Sequence, residues 1–144
     1  MKKTLIAVVA ALALYSASAG EREWLTDLPK AQAQAKKENK LVLLDFTGSD
    51  WCGWCIKLKE EVFDLKEFKE YAAKNLVLVE VDFPRKKELA AEQKKANEAL
   101  QEKYEIEGFP TIIVLDGEGK KVGNLGYMKG GPKAFIAKLE KLKK

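Results

Sequence analysis

Three segments follow one another between positions 41 and 55: Leu41-Val42-Leu43-Leu44-Asp45-Phe46, then Thr47-Gly48-Ser49-Asp50, then Trp51-Cys52-Gly53-Trp54-Cys55. The first is a nearly continuous apolar run, which is typical of a strand buried on both faces of a parallel sheet. The second has the composition of a loop. A helix is predicted to begin near Cys52, because Cys55, Leu58 and Val62 recur at helical spacing. Two thiols therefore stand at a strand–loop–helix junction.

The spacing of the two cysteines favours redox chemistry. It allows them to close into a small disulfide, and it sets Cys52 at a helix N-terminus, where free N–H groups favour the thiolate that attacks disulfides. Cys55, one turn inside the helix, is expected to be more buried and to resolve the mixed disulfide.

Two other uses of the cysteine pair stay open. A structural disulfide across this short loop would stabilise the fold by only roughly 2 kcal/mol, against about 4 kcal/mol for a loop near 60 residues. A thiolate zinc site would need a second chain to complete four ligands, so we expect no metal within one chain. The strand–CxxC–helix order favours the redox pair over both.

Composition narrows the chemistry further. The chain has 144 residues, of which 47% are hydrophobic and 33% charged, which indicates about one globular domain. It has two cysteines and no histidine. Catalysis by Ser-His-Asp or Cys-His sites, zinc held by histidine and imidazole pH switches are therefore excluded.

The first 19 residues have the layout of a secretory signal peptide. Lys2-Lys3 precede an apolar run from Leu5 to Leu14, and Ala17 and Ala19 form a small-residue cleavage site before Gly20. The run is half the length of a membrane span. We therefore predict export, to the periplasm or fully outside the cell, as a mature domain of residues 20–144.

Charge gives no sign of a nucleic-acid partner. The net charge of +4 includes both lysines of the leader, so the mature chain has 24 basic and 22 acidic residues. Its short basic runs, such as Arg85-Lys86-Lys87, have acidic residues nearby and are typical of solvated surfaces. We expect a monomer in oxidising surroundings, where a cysteine pair can cycle.

The remaining pattern predicts one α/β domain in the order αβα(α)βαββα. Asp27 is expected to cap the first helix, and Asp64 with Glu67 a later one. Strands are predicted at 76–82, 111–115 and 121–125, with a helical stretch from Arg85 to Tyr104 and a last helix after Gly130.

Two motifs resemble the thioredoxin superfamily, and the resemblance spans residues 24–142. One is Val42-Leu43-Leu44-Asp45-Phe46 before Trp51-Cys52-Gly53-Trp54-Cys55, and the other is Gly108-Phe109-Pro110-Thr111 before a strand. The resemblance implies a thioredoxin fold, a central mixed sheet flanked by helices. The stretch between Asp82 and Gly108 is longer than in thioredoxin, so an extra helix near residues 86–104 is expected before the proline loop. It would cover one face of the sheet or dock a partner.

The resemblance also implies roles for the site residues. Cys52 would be the nucleophile and Cys55 the resolving thiol, with no cofactor beyond this disulfide. Pro110 would be cis and lie against the disulfide, whereas the residues alone also fit an ordinary trans turn. An extended substrate would pair with the backbone at Phe109. The substrate groove would comprise Trp51, Gly53, Trp54, Phe109, Pro110, Thr111, Gly126 and Tyr127.

Asp45 is an unusual residue within an apolar strand. A buried carboxylate is costly unless it is paired, hydrogen-bonded or protonated. One interpretation is an acid satisfied by nearby backbone or by Lys57. The other is an acid of raised pKa that relays the proton of Cys55, as the resemblance implies.

The residues between the cysteines indicate the direction of the reaction. Thioredoxin has Gly-Pro there, and dedicated oxidases and isomerases carry a histidine, whereas this chain has Gly53-Trp54. Nothing there stabilises a strongly oxidising thiolate, which favours a reductase of protein disulfides, recharged by a membrane thiol-disulfide electron donor. A disulfide oxidase or isomerase, and a non-catalytic binding module with a fixed disulfide or bridging metal, are the alternatives.

Overall fold

A computed structural model of the chain describes residues 23–143. The predicted signal peptide, residues 1–19, lies outside them. The elements in chain order are α1 (Leu28–Glu38), β1 (Leu41–Thr47), α2 (Gly53–Leu58), a π-helical turn (Lys59–Phe63), α3 (Lys66–Asn75), β2 (Leu76–Asp82), α4 (Ala91–Lys103), β3 (Thr111–Leu115), β4 (Lys121–Leu125) and α5 (Gly131–Glu140).

The four strands form one mixed sheet in the order β2-β1-β3-β4. Strand β2, at one edge, runs parallel to β1, while β3 runs antiparallel to both β1 and β4. Buried residues form one cluster around the π-helical turn, α3 and α5, and another around α1. Because β1 is covered on both faces, its sequence is apolar almost throughout. This is the expected fold, a central mixed sheet flanked by helices.

The local predictions hold best where one short segment determines the structure. The strands at 76–82, 111–115 and 121–125 have the predicted bounds, and the strand at 41–46 extends by one residue. Asp27 caps α1 by accepting a hydrogen bond from the Lys30 N–H, with Pro29 in the first turn. The stripe of Cys55, Leu58 and Val62 is buried.

The predicted cap at Asp64 is wrong. Its carboxylate binds the Lys59 ammonium at 2.8 Å, and Leu65 occupies the N-cap position of α3 without a side-chain hydrogen bond. The π-helical turn Lys59–Phe63 precedes Asp64 and occupies the positions where an ordinary helix would end. Leu65 itself is exposed.

The extra helix exists but begins later than predicted. Helix α4 starts at Ala91, whereas residues from Arg85 to Ala90 are not helical. The N–H groups of Arg85 and Lys86 donate to the Asp50 carboxylate, which holds this segment outside any helix. Along α4, Asn97 is the buried residue, and Leu100 packs partly against the core. Between residues 23 and 143, no helix is long and apolar enough to cross a membrane.

Candidate active site

The two cysteines form a disulfide where the loop after β1 enters α2. Their Cα atoms are 5.2 Å apart, within the usual range for a disulfide. Cys52 is the N-cap of α2, and its sulfur accepts the Cys55 N–H at 3.3 Å. The exposed fractions are 8% for Cys52 and 5% for Cys55, so the expected difference in burial is small while the pair is oxidised.

A tight turn from Gly48 to Cys52 places Cys52 at the N-cap of α2. The N–H groups of Trp51 and Cys52 both donate to the Gly48 carbonyl. A Cβ atom at Gly48 would overlap the Trp51 ring, so the turn requires glycine there. The Trp51 indole N–H donates to the Phe83 carbonyl at 2.7 Å, which ties the turn to the end of β2.

The loop Gly108-Phe109-Pro110-Thr111 contains the cis bond that the resemblance implies. The Phe109–Pro110 peptide bond is cis. The Phe109 ring packs edge-on against Trp51, with centroids 5.9 Å apart, and stacks on Phe83 at 5.1 Å. Thr111 closes the loop by donating from its hydroxyl to the Gly108 carbonyl. The proline loop is thereby joined to the segment that precedes Cys52.

The last predicted groove residues lie beside the proline loop and the cysteines. A Cβ atom at Gly126 would lie 3.7 Å from the Pro110 carbonyl oxygen. Tyr127 packs against Trp54, with ring centroids 4.8 Å apart. Trp54 is 57% exposed, and Gly53 faces open space. The structure therefore brings Trp51 to Phe109, Trp54 to Tyr127 and Gly126 to Pro110.

Glu61 and Lys57 hold the Trp54–Tyr127 pair, and sequence reasoning missed this role for both residues. The Tyr127 hydroxyl donates to Glu61 at 2.7 Å, which raises the pKa of the phenol. The Lys57 ammonium lies 5.1 Å from the centroid of the Trp54 ring and 5.5 Å from that of Tyr127. It also pairs with Glu61 at 3.8 Å. The i,i+4 spacing of Lys57 and Glu61 was the available signal.

A second missed group lies on the Trp51 side. The two oxygens of Asp50 accept the N–H groups of Arg85 and Lys86 at 3.0 and 2.8 Å. These hydrogen bonds, led by the one from Arg85, lower the pKa of Asp50. The Arg85 guanidinium carbon lies 3.7 Å from the centroid of the Trp51 ring. No local pattern revealed these contacts, because each joins residues far apart in the chain.

Asp45 is buried within β1, and its Oδ1 has no hydrogen-bond partner. Burial raises the pKa of Asp45 to about 8, and the nearby carboxylates of Glu80 and Asp82 add to the rise. Glu80 is its register partner on β2. Lys57, which the sequence offered as a counter-ion, instead lies with Glu61, Trp54 and Tyr127.

The family of the chain follows from comparison with known proteins. A model of the thioredoxin-like domain matches residues 28–143. The chain belongs to this family. Over 111 residues it is 40% identical to a protein named disulfide bond reductase DsbH from Chlamydia pneumoniae, covering 77% of this chain and 67% of that protein. The thioredoxin-related protein DsbJ of the same organism is 28% identical over 130 residues, covering 86% of this chain and 37% of DsbJ.

Solved structures give the same result. A structure titled DsbH oxidoreductase has a TM-score of 0.80 and 33% identity, covering 98% of this chain and 94% of that one. The oxidised C-terminal domain of DsbD from Neisseria meningitidis has a TM-score of 0.61 at 23% identity, covering 84% of this chain and all of that one, and supports the fold alone.

The chemistry of the site and the family agree. This chain is a thiol-disulfide oxidoreductase of the thioredoxin-like family, with Cys52 and Cys55 as its CxxC pair. Residues 23–143 contain no cluster of three or more side chains that could hold a metal ion. The redox group is the disulfide of the protein itself.

Proposed function

We propose that the protein reduces disulfides in other proteins, with Cys52 as nucleophile and Cys55 as resolving thiol. The observation that carries the proposal is a closed Cys52–Cys55 disulfide that directly follows Trp51, whose ring packs against Phe109 of the cis Phe109–Pro110 bond, together with an exposed Trp54. The 40% identical relative is named a disulfide bond reductase, which supports the same direction.

The reaction transfers two electrons in two exchange steps. The Cys52 thiolate attacks one sulfur of the substrate disulfide, and the other substrate sulfur leaves as a thiolate that takes up a proton. Cys55 then loses its proton and attacks the Cys52 sulfur. The mixed disulfide breaks, the second substrate thiol is released, and the Cys52–Cys55 bond forms. The substrate gains two electrons from the protein and two protons, one from Cys55 and one from the water that took the proton of Cys52 when its thiolate formed.

The neighbouring residues would hold the substrate and move the proton. An extended substrate segment would pair with the backbone at Phe109, next to the cis Pro110. Trp51, Trp54, Thr111, Gly126 and Tyr127 would shape the groove around it. Asp45, whose buried carboxyl has a free oxygen, would exchange the proton of Cys55.

The absence of histidine supports the reducing direction. An oxidising dithiol needs a strongly stabilised thiolate. The chain offers no imidazole for this, since it contains no histidine. Gly53 and Trp54, the residues between the two cysteines, carry no charge. The pair therefore lacks the group that would hold Cys52 as a very stable anion.

Continuous reduction requires a source of electrons and a compartment. We propose that residues 1–19 direct export, that cleavage follows Ala19, and that a membrane thiol-disulfide protein reduces the Cys52–Cys55 bond in the periplasm. Intact-mass measurement of protein recovered from an expressing bacterium would show a chain beginning at Gly20. Recovery of the uncleaved chain from the cytoplasm would contradict the export proposal.

The direct test of the reductase is insulin reduction with dithiothreitol as electron source. The wild-type protein should accelerate insulin precipitation, and Cys52→Ser should abolish the acceleration. Cys55→Ser should trap a mixed disulfide that non-reducing electrophoresis detects. Lys95→Ser, on the exposed face of α4, is the control and should behave as wild type. Retained activity in both cysteine variants would overturn the proposal.

A further inference from the structure

The segment between β2 and α4 is fastened to the turn that presents Cys52. Asp50 accepts two main-chain N–H groups from it, and the Trp51 indole donates to the Phe83 carbonyl. Ser49 adds two hydrogen bonds to Asp82 at the end of β2, at 3.0 and 2.6 Å. The position of the segment beside the disulfide is thus fixed by several independent contacts.

Lys87 and Arg85, two cations of this segment, differ in whether they have a carboxylate partner. Lys87 pairs with Asp82 at 3.2 Å. The charge of Asp50 is directed at the main chain of Arg85 and Lys86. For the guanidinium of Arg85, no ion pair or hydrogen bond to a carboxylate is found within residues 23–143. Arg85 is exposed, and its guanidinium lies over the Trp51 ring.

This arrangement prepares Arg85 to bind a carboxylate. Stacking on an aromatic ring restricts a guanidinium while leaving its N–H edges free, and those edges match the two oxygens of a carboxylate. The same Trp51 ring meets Phe109 edge-on, and Phe109 precedes the cis Pro110. Arg85 therefore contacts Trp51, which in turn contacts Phe109. Phe109 is the residue whose backbone is proposed to pair with the substrate.

We propose that Arg85 is a specificity residue that binds an acidic side chain close to the reactive disulfide of the protein substrate. The inference rests on the proposed function and adds to it the charge of the substrate segment. It assigns to Arg85 recognition rather than chemistry, since the thiols alone exchange electrons.

The test measures single-turnover reduction of peptide disulfides by pre-reduced protein, followed by tryptophan fluorescence. Three peptides differ only in the two residues that flank the cystine, which are glutamate, glutamine or lysine. The wild-type protein should reduce the glutamate peptide about threefold to fivefold faster than the glutamine peptide, as expected for one exposed ion pair. The preference should shrink as salt is raised from 0.05 to about 0.5 M.

Variants separate recognition from a structural role. In Arg85→Gln the ratio of the glutamate to the glutamine rate should fall to about one, and in Arg85→Glu the lysine peptide should become the fastest. Such an inversion cannot arise from misfolding. Lys95→Gln, which removes the same charge from α4, should keep the wild-type ratio.

Several results would overturn the inference. These are equal rates for the three peptides with wild-type protein, an unchanged ratio in Arg85→Gln, or the same loss in Lys95→Gln. An equal fall in every rate would show that Arg85 only supports the turn. Failure of the wild-type protein to reduce any peptide would instead contradict the proposed reductase.

Discussion

Asp45 carries a buried carboxyl group with one unpartnered oxygen beside two other acids. With a pKa of about 8, it is mostly protonated at pH 7 and mostly ionised at pH 9. When an external thiol attacks Cys52, Cys55 leaves as a thiolate and needs a proton. Only the protonated form of Asp45 can supply that proton. The contribution of Asp45 to the rate of disulfide reduction should therefore fall as pH rises through 8.

Asp45→Asn should therefore slow reduction of the Cys52–Cys55 disulfide by dithiothreitol about tenfold at pH 7. The rate is measured by stopped-flow fluorescence from pH 6 to 9.5 and corrected for the thiolate fraction of the reductant. The corrected wild-type rate should fall with a midpoint near the pKa of Asp45, whereas the variant should show no such step.

Glu80→Gln sharpens this test. It removes a neighbouring carboxylate that raises the pKa of Asp45, so the midpoint should move to lower pH. A purely structural role of Asp45 would not move a pH midpoint. Equal corrected rates for wild type and Asp45→Asn at pH 7 and 8, with both proteins folded, would remove Asp45 from the mechanism.

Helix α4 is the element that the fold adds between β2 and the proline loop. Its buried Asn97 donates to the Asp82 carbonyl at 2.9 Å and accepts a hydrogen bond from Gln93. Gln93 also donates to the Thr26 carbonyl, and Tyr104, after the helix end, packs edge-on against Phe46. These contacts support the interpretation of α4 as a cover over one face of the sheet.

Asn97→Ala should lower the free energy of unfolding by about 1–3 kcal/mol, because it leaves the buried Asp82 carbonyl without its partner. Urea denaturation of the oxidised protein measures the change. Lys95→Ala, at an exposed position of the same helix, should change it by less than about 0.5 kcal/mol. The rate of insulin reduction should stay within about twofold of wild type in Asn97→Ala. Unchanged stability with a large loss of rate would instead indicate a docking helix.

At the scale of the whole molecule, the sheet could be predicted because β1, β2 and β3 are short apolar runs, and β4 follows β3 across a turn of hairpin composition. The cysteine pair was equally visible, since spacing and position coincide. A helix was wrongly predicted for residues 85–90 because their composition suits one. Asp50, 35 residues earlier, instead accepts a hydrogen bond from the Arg85 N–H. The Glu61–Tyr127 hydrogen bond, across 66 residues, escaped for the same reason.

The lack of histidine favours the reducing direction of disulfide exchange. Without an imidazole, the reduced dithiol of Cys52 and Cys55 has less stabilisation than that of a strong oxidase, so it should give up electrons readily. The equilibrium reduction potential of Cys52–Cys55 measures the stability of the dithiol relative to the disulfide. It also reports on all neighbouring groups together, including Lys57 and the end of α2.

The measurement is the equilibrium reduction potential of Cys52–Cys55 against glutathione or dithiothreitol at pH 7, read by tryptophan fluorescence and checked by thiol alkylation. The proposed reductase predicts a value near that of thioredoxin, about −270 mV. A value near about −180 mV, typical of isomerases, or about −120 mV, typical of a strong oxidase, would contradict it.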